Sequence, residues 1–238
     1  MIMKAFIEQF RHLTHTAEGE KPLFEVVGKA FAKDSGWSRF VGGDPQVIYD
    51  DTATDGQCLR LPVVADGDTF LTSAVWTDYV LGPGILKIRA RFKGGRGTWP
   101  AIWLKNRHGG DLERHYEVDL CEYFEKRKRC KAGVFFPKHM KSWWHRLWRP
   151  KSHPKINRDG WNLFAFVWDD KKMMLFVNGV KALGLTNWGK AESYPQTEED
   201  MTFRLILSMQ YGKKWLRKPR KSECPLWMDV DYVWYDPW

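Results

Sequence analysis

Apolar and polar side chains alternate with a period of two over most of the chain, and this pattern constrains the fold more than any other feature. In the segment 85–92, Ile88 and Ala90 would lie on one side of an extended chain, while Arg89 and its basic neighbours would lie on the other. This alternation is typical of a half-buried β-strand. The same pattern, interrupted by clusters of Gly, Pro, Asn and Asp, predicts strands at 46–49, 58–64, 69–76, 85–92, 101–105, 116–123, 132–136, 163–169, 173–177, 203–209 and 228–235.

Turn sequences between these segments favour antiparallel pairing. The segment 169–172, Asp-Asp-Lys-Lys, separates two apolar runs as in a β-hairpin, and Asn178-Gly179 is suited to a turn with positive φ angles. Many short strands without helical segments between them predict an all-β, antiparallel β-sandwich or jelly roll. Because no linker, repeat or low-complexity tract divides the sequence, residues 21–238 are predicted to form one domain.

Residues 1–20 are interpreted as an N-terminal extension of that domain. The spacing of its apolar residues predicts one short amphipathic helix that packs on the domain surface, with apolar positions at Ile2, Phe6, Phe10 and Leu13. The polar opening, which carries Lys4 and Glu8, indicates neither a membrane span nor a secretory signal. The sequence does not predict the cellular compartment.

The chain is rich in tryptophan and carries a locally concentrated positive charge. It contains 14 Trp residues, whose flat rings stack on sugars or bases and commonly line a groove. The net charge is +9, and Lys/Arg-rich windows at 126–131, 138–155 and 213–221 hold that excess, because the remainder of the chain is net acidic. Such windows indicate either an anionic partner or solvated loops.

The cysteines do not indicate a metal or redox site. There is no C-x-x-C pair and no adjacent histidine cluster around Cys58, Cys121, Cys130 or Cys224. A chain of 238 residues does not need a disulfide framework, so we expect free thiols.

Three acids, Glu117, Asp119 and Glu122, interrupt an otherwise apolar strand at 116–123. Burying carboxylates is costly, so these groups are expected to face a groove, to pair with cations or to take part in chemistry. In a regular strand Glu122 would lie on the opposite face from Glu117, because five residues separate them. A single β-bulge near Leu120 and Cys121 would return Glu122 to the face of the other two acids. An acidic edge strand that faces solvent is the alternative.

With such a bulge, Glu117 and Glu122 are predicted to lie near the separation of about 5 to 5.5 Å that suits a retaining glycosidase. One carboxylate would attack the anomeric carbon. The other, with a raised pKa, would protonate the leaving oxygen and later activate water. Asp119 between them would share a proton or a hydrogen bond with the nucleophile.

Further motifs surround the acidic segment. The segment 97–104 reads Gly-Thr-Trp-Pro-Ala-Ile-Trp-Leu and precedes the E-x-D-x-x-E pattern of 117–122. Further short motifs follow in order at 168–169, 176–179, 205–209 and 228–235. Taken together, over roughly residues 40 to 236, all of these motifs resemble those of glycoside hydrolase family 16, the family of laminarinases, agarases and carrageenases.

The resemblance implies a concanavalin A-like jelly roll with an open cleft on the concave sheet. It implies that Glu117 is the nucleophile, Asp119 its assistant and Glu122 the acid/base. Substrate contacts are predicted at Trp99, Trp103, Trp144 and Arg146, although tryptophans on a sandwich strand are also common in the core. Catalysis of this kind requires no cofactor, and since no EF-hand-type loop occurs, we expect at most a structural calcium ion. Most family members are secreted.

The sequence therefore predicts a monomeric, endo-acting glycosidase for a β-linked polysaccharide, with no nucleic-acid or membrane partner. β-1,3-Glucan is the commonest expectation within the family, whereas the basic windows favour a sulfated or uronic galactan, because a neutral glucan has no anions to bind. A lectin-like binding module and a transglycosylase on the same fold are the alternatives. Nucleic-acid binding is less favoured because no recognised motif accompanies the charge.

Overall fold

Antiparallel β-strands make up nearly all of the regular structure. The computed structural model describes residues 6–8, 10, 23–26, 38–39, 43–106, 116–125, 129–135, 151–186, 199–212 and 219–238. Helical structure in these ranges is limited to short 3-10 turns, among them Glu199–Met201 and Lys221–Glu223. None of the helices in the described ranges is long and apolar enough to cross a membrane.

Each predicted strand is present in the structure. Several extend beyond their predicted ends, and the predicted end of one at Phe136 lies outside the described residues. The described ranges contain β1 (Phe6–Glu8), β2 (Phe24–Val26), β3 (Ser38–Arg39), β4 (Gln46–Tyr49), β5 (Gln57–Asp66), β6 (Thr69–Thr77), β7 (Gly84–Lys93), β8 (Thr98–Asn106), β9 (Glu117–Phe124), β10 (Arg129–Phe135), β11 (Lys151–Ser152), β12 (Asn162–Trp168), β13 (Lys172–Val177), β14 (Val180–Thr186), β15 (Phe203–Gly212) and β16 (Leu226–Pro237).

The strands form two sheets that meet at β6. The first sheet has the order β11–β10–β9–β8–β15–β6, and the second has the order β5–β16–β7–β12–β13–β14. The first part of β6 pairs with β5, whereas its second part pairs with β15, so that the ladder continues from one sheet into the other. All ladders between the described strands are antiparallel. The predicted all-β antiparallel architecture is confirmed.

The core lies between the two sheets. On β7, alternate residues such as Ile88 are fully buried, while the residues between them are partly exposed. Aromatic contacts join the sheets across this core. Phe92 on β7 stacks on Tyr123 of β9 with ring centroids 5.6 Å apart, and Trp168 on β12 lies edge-on to Phe203 of β15 at 6.2 Å. The packing is that of a β-sandwich.

The predicted hairpins join β12, β13 and β14. In the first, the backbone N–H of Asp169 donates to the carbonyl oxygen of Lys172 at 2.9 Å. In the second, Asn178 and Gly179 have φ angles of 51° and 78°. A two-residue hairpin with type I′ geometry requires both to be positive, so this prediction is confirmed.

The N-terminal helix prediction is wrong where the structure describes the segment, because Phe6–Glu8 form strand β1. β1 pairs with Val233, Trp234 and Tyr235 of β16, beyond Val230, where the ladder between β16 and β5 ends. The backbone N–H and C=O groups of β16 need partners there, and β1 supplies them. Tertiary hydrogen bonding therefore overrides a weak local spacing of apolar residues.

Arginine–aspartate pairs stabilise the outer surface of the second sheet. Asp229 on β16 is fully buried and accepts hydrogen bonds from Arg60 at 2.7 and 2.8 Å and from Arg91 at 2.9 and 3.1 Å. Both guanidinium groups also lie over the ring of Trp227, at 4.5 and 5.2 Å from its centroid. These contacts connect β5, β16 and β7 through side chains.

Replacing Asp229 with alanine should lower the free energy of unfolding by about 2 to 4 kcal/mol, because two partly buried guanidinium groups lose the carboxylate that compensates their charge. Urea denaturation followed by tryptophan fluorescence measures the change. Asp170→Ala, on the exposed turn after β12, is the matched control and should change stability by less than about 0.5 kcal/mol. Equal stability of the two variants would show that the Asp229 pairs contribute nothing.

Candidate active site

A one-residue bulge interrupts β9 in the middle of the acidic segment. Against β8, Cys121 pairs with Ile102 and Asp119 pairs with Trp103, so Leu120 is the extra residue. The ladder between β9 and β10 shifts its register at the same level. The bulge that the sequence predicts near Leu120 and Cys121 is therefore present.

The bulge places three acids on one face of the first sheet. The pairs are Glu117 with Lys105, Asp119 with Trp103, and Glu122 with Ala101. Paired residues project to the same side of a sheet, and these β8 partners are two residues apart, so all three acids share a side. The intervening Ile102 and Leu104 are fully buried in the core. The side that carries the acids, named the acid face below, therefore points away from the core.

Two predicted substrate contacts, Trp99 and Trp103, also lie on the acid face and are partly exposed. The indole Nε1 of Trp103 donates to Ser208 Oγ at 3.2 Å, and Gln210 Nε2 donates to the same oxygen at 3.1 Å. The Trp99 ring packs against Phe124 with centroids 5.7 Å apart. Neighbouring side chains thus hold both indole rings in place beside the acids.

Basic residues whose place in the site was not predicted from the sequence lie beside the acids. Lys131 on β10 pairs with Glu122, and its Nζ lies 2.5 Å from Glu122 Oε2. Lys105 on β8 pairs with Glu117. Burial lowers the pKa of Lys105, against the opposing effect of Glu117. The alternation of Lys131 with apolar residues could have placed it opposite the core, but only the register of β10 on β9 connects it to Glu122.

Asp119 is buried in the acid face and has a strongly raised pKa. It is 4% exposed, and burial raises its pKa well above the ordinary value, with further increases from the charges of Glu122 and Glu117. Its Oδ2 is buried and has no hydrogen-bond partner among the described residues. The environment therefore favours the protonated carboxyl group at this position.

Glu122 is also nearly buried, with 5% of its surface exposed, and burial raises its pKa. The charge and hydrogen bond of Lys131 oppose this shift, Glu117 adds to it, and the Trp99 indole N–H opposes it to a smaller extent. The net effect is a pKa above that of an ordinary glutamate. A glutamate with a raised pKa keeps its proton to a higher pH than an ordinary one and can release it to a reacting oxygen, so it suits general acid–base chemistry.

Behind the bulge, the thiols of Cys121 and Cys130 contact one another in the core. The cysteines of the chain are free thiols. Both sulfurs lie on the side of the sheet opposite the acid face, so they pack the bulged strand against the core and do not contact the acids.

Two of the predicted substrate contacts, Trp144 and Arg146, lie outside the described residues. Most of the basic windows 138–155 and 213–221 do so as well. These residues stay predictions.

Among the described residues, one group on the outer surface of the second sheet has the spacing of metal ligands but does not suit a calcium ion. Asp50, Cys58 and Asp229 form a group whose ligand atoms lie within 4.8 Å of one another. However, Arg60 and Arg91 bind Asp229, and Arg91 also pairs with Asp50. Burial raises the pKa of the Cys58 thiol to about 12, and calcium takes oxygen ligands. Guanidinium groups therefore supply the positive charge at these carboxylates.

Comparisons with known proteins agree with the fold and the motifs. The model of the family described as Glycosyl hydrolases family 16 matches residues 46–227. The chain is 25% identical over 157 residues to a keratan-sulfate endo-1,4-beta-galactosidase of Sphingobacterium multivorum, which covers 63% of this chain and 36% of that protein. It is 27% identical over 165 residues to glucan endo-1,3-beta-glucosidase A1 of Niallia circulans, which covers 63% of this chain and 24% of that protein. The alignments thus span well under half of either relative.

Similar folds occur among solved structures. A laminarinase from Flavobacterium sp. UMI-01 matches 98% of this chain and 100% of its own, with a TM-score of 0.73 and 18% identity. An endo-beta-1,3-glucanase from Pyrococcus furiosus matches 97% of this chain and 93% of its own, with a TM-score of 0.71 and 17% identity. At this level of identity the likeness concerns the fold.

Replacing Asp119 with asparagine should stabilise the protein increasingly, relative to the native chain, as the pH rises from 4 to 8. The raised pKa means that the folded chain keeps a proton that the unfolded chain has already released, so the native carboxyl group loses stability as the pH rises through its folded pKa. Asparagine keeps the shape of the carboxyl group and does not titrate. Urea unfolding at pH 4, 6 and 8 measures the difference.

The matched control for this experiment is Asp170→Asn, which removes a carboxylate from an exposed turn. The trend with pH for Asp119→Asn should exceed the roughly 0.5 kcal/mol that is typical of surface substitutions. If the stability difference between Asp119→Asn and the native chain is the same at all three pH values, the environment does not perturb this carboxyl group.

Proposed function

Because this chain belongs to glycosyl hydrolases family 16, whose model matches residues 46–227, we propose that it is a retaining, endo-acting glycosidase that cleaves a β-linked polysaccharide. The observation that carries the proposal is the bulge at Leu120, which brings Glu117, Asp119 and Glu122 onto one face of β9. Two carboxyl groups on one side of a sheet are what double displacement at a sugar requires. An open groove over the acid face would admit internal units of a long chain.

The proposed mechanism has two steps, both at the anomeric carbon. In the first, a carboxylate oxygen of Glu117 attacks that carbon, while Glu122 gives its proton to the glycosidic oxygen and the bond between carbon and leaving oxygen breaks. In the second, Glu122 takes a proton from water, and the water oxygen displaces Glu117. The raised pKa of Glu122 supports the acid role in the first step.

Asp119 would assist the nucleophile. Its raised pKa favours a neutral carboxyl group beside Glu117, and a neutral carboxyl group can donate a hydrogen bond to a carboxylate. Such a hydrogen bond would orient Glu117 before the attack and stabilise it again when it leaves. The carboxyl groups supply both acid–base and nucleophilic chemistry, so we propose a reaction without a cofactor. All of these groups come from one chain, which is compatible with a monomer.

We propose two substrate classes, and a different observation supports each of them. The partly exposed rings of Trp99 and Trp103 suit stacking on the sugars of a neutral β-glucan. On the same face, Arg204 pairs with Lys105 in the ladder of β15 on β8, and its Cζ lies 5.4 Å from the ring centroid of Trp76. A cation beside an aromatic ring suits a sulfated galactan, and one relative acts on keratan sulfate by name.

A panel of laminarin, mixed-linkage glucan, agarose, porphyran, carrageenans and keratan sulfate tests the proposal. The native chain should release oligosaccharides from at least one of them, and Glu117→Gln should lose about a thousandfold or more of that activity, because an amide cannot act as the nucleophile. Size analysis of the products would show endo-cleavage. Proton NMR of the first product should show a retained anomeric configuration.

Glu125→Gln is the matched control, because Glu125 hydrogen-bonds Tyr123 OH at 2.5 Å beyond the end of β9 and is not one of the three acids. Its activity should stay within about twofold of the native chain. Binding of a glycan without cleavage would favour the lectin-like alternative. An inverted product would exclude the double displacement, and robust cleavage by Glu117→Gln would remove this residue from the nucleophile role.

A further inference from the structure

Lys131 is the one basic residue among those described that forms an ion pair with Glu122. The register of β10 on β9 places it directly opposite this glutamate, and its Nζ lies 2.5 Å from Oε2. The ammonium group also lies 5.3 Å from the ring centroid of Phe135, four residues further along β10 on the same face. Its side chain is 28% exposed, so the pair lies at the boundary between the sheet surface and solvent.

The charged groups that face Glu122 come from β9 itself and from β10. β9 contributes Asp119 and Glu117, and β10 contributes Lys131. On β8 the residue opposite Glu122 is the uncharged Ala101, and Lys105 lies further along, opposite Glu117. Among the described residues, the positive charge closest to Glu122 is therefore that of Lys131.

We propose that Lys131 is a positioning residue for the proton transfer: its ammonium group holds the carboxyl group of Glu122 through Oε2 in the orientation for transfer to the glycosidic oxygen, and sets the alkaline limit of the activity. This inference rests on the proposed function of Glu122 as the acid/base.

Burial and the charge of Lys131 act on the pKa of Glu122 in opposite directions. Burial and the charge of Glu117 both favour the protonated form of Glu122, and without a cation this glutamate would release its proton only at a higher pH. Hydrolysis needs both states, because Glu122 gives a proton in the first step and takes one in the second. Lys131 favours the ionised form of Glu122, so this glutamate releases its proton at a lower pH than it would without the lysine.

Removing the charge of Lys131 should raise the pH at which the activity is lost. The first step requires protonated Glu122, so kcat/KM falls when the pH rises through the pKa of this group. Lys131 lowers that pKa, and Lys131→Met should therefore move the alkaline limb of the profile of kcat/KM against pH upwards by about one unit. The kcat at the optimum should fall about tenfold, because the carboxyl group loses its orientation, while KM changes by less than about twofold.

The experiment compares Lys131→Met with Lys131→Arg and Lys172→Met. Arginine keeps the charge, so its alkaline limb should stay close to that of the native chain. Lys172, at the start of β13 in the second sheet, is 48% exposed and pairs only loosely with Asp169 at 4.0 Å, so its removal controls for the loss of one positive charge. Thermal unfolding of each variant controls for folding.

A second readout needs no substrate. In protein labelled with carbon-13 at the glutamate side-chain carboxyl groups, NMR titration follows Glu122 directly, and the resonance is assigned by its absence in Glu122→Gln. The pKa of Glu122 should be higher in Lys131→Met than in the native chain and nearly unchanged in Lys172→Met. This readout separates the two proposals: if the native chain cleaves no glycan, the proposed function fails, while the titration still decides whether Lys131 controls Glu122.

Three outcomes would overturn the inference. The first is an alkaline limb and a Glu122 titration that are unchanged in Lys131→Met. The second is an equal shift in Lys131→Met and Lys131→Arg, since the charge would then not be the cause. The third is a KM that rises for sulfated substrates alone with no change in the pH profile, which would make Lys131 a contact to substrate sulfate.

Discussion

One extra residue in β9 decides where the acidic segment points. Strict alternation would send Glu122 to the side of Ile102 and Leu104, which are fully buried, and an ionised carboxylate there would cost several kcal/mol. The bulge at Leu120 absorbs one residue, and the ladders on both sides resume their pairing after it. Because β8 and β10 both pair with β9, the bulge is held from two sides. The arrangement of the acid face depends on this local irregularity.

Buried carboxylates have different charged neighbours on the two surfaces of the sandwich. On the second sheet, two guanidinium groups form ion pairs with Asp229, and its role there is structural. On the acid face, Asp119 and Glu122 lie close to Glu117 with too little positive charge nearby, so burial and mutual repulsion raise their pKa values. Undercompensated acids reduce the stability of the fold at high pH. Such a cost is typical of residues that take part in chemistry.

The surroundings of Glu122, which include Lys131, are intermediate between these two arrangements. It compensates Glu122 in part, and the pKa of the glutamate nevertheless stays above its ordinary value. A fully compensated Glu122 would be a poor acid, whereas an uncompensated one would be slow to release its proton. From its position on the neighbouring strand, this lysine lowers the pKa of Glu122 without placing another residue on β9.

Local features of the sequence were sufficient to predict eleven of the sixteen described strands, both hairpins and the place of the bulge. Alternation, turn residues and the five-residue separation of Glu117 and Glu122 are properties of short segments, and short segments fix which side of a strand a residue occupies. The tertiary structure alone decided the partners. β1 is a strand because β16 has backbone groups to satisfy, and Lys131 meets Glu122 because β10 pairs with β9 in one register. Asp229 follows a methionine and Asp119 follows a valine in apolar strands, and only the arginines that β5 and β7 bring to Asp229 distinguish the ion-paired acid from the acid with a raised pKa. Pairing between strands distant in sequence depends on the sum of many weak contacts, which no single segment contains.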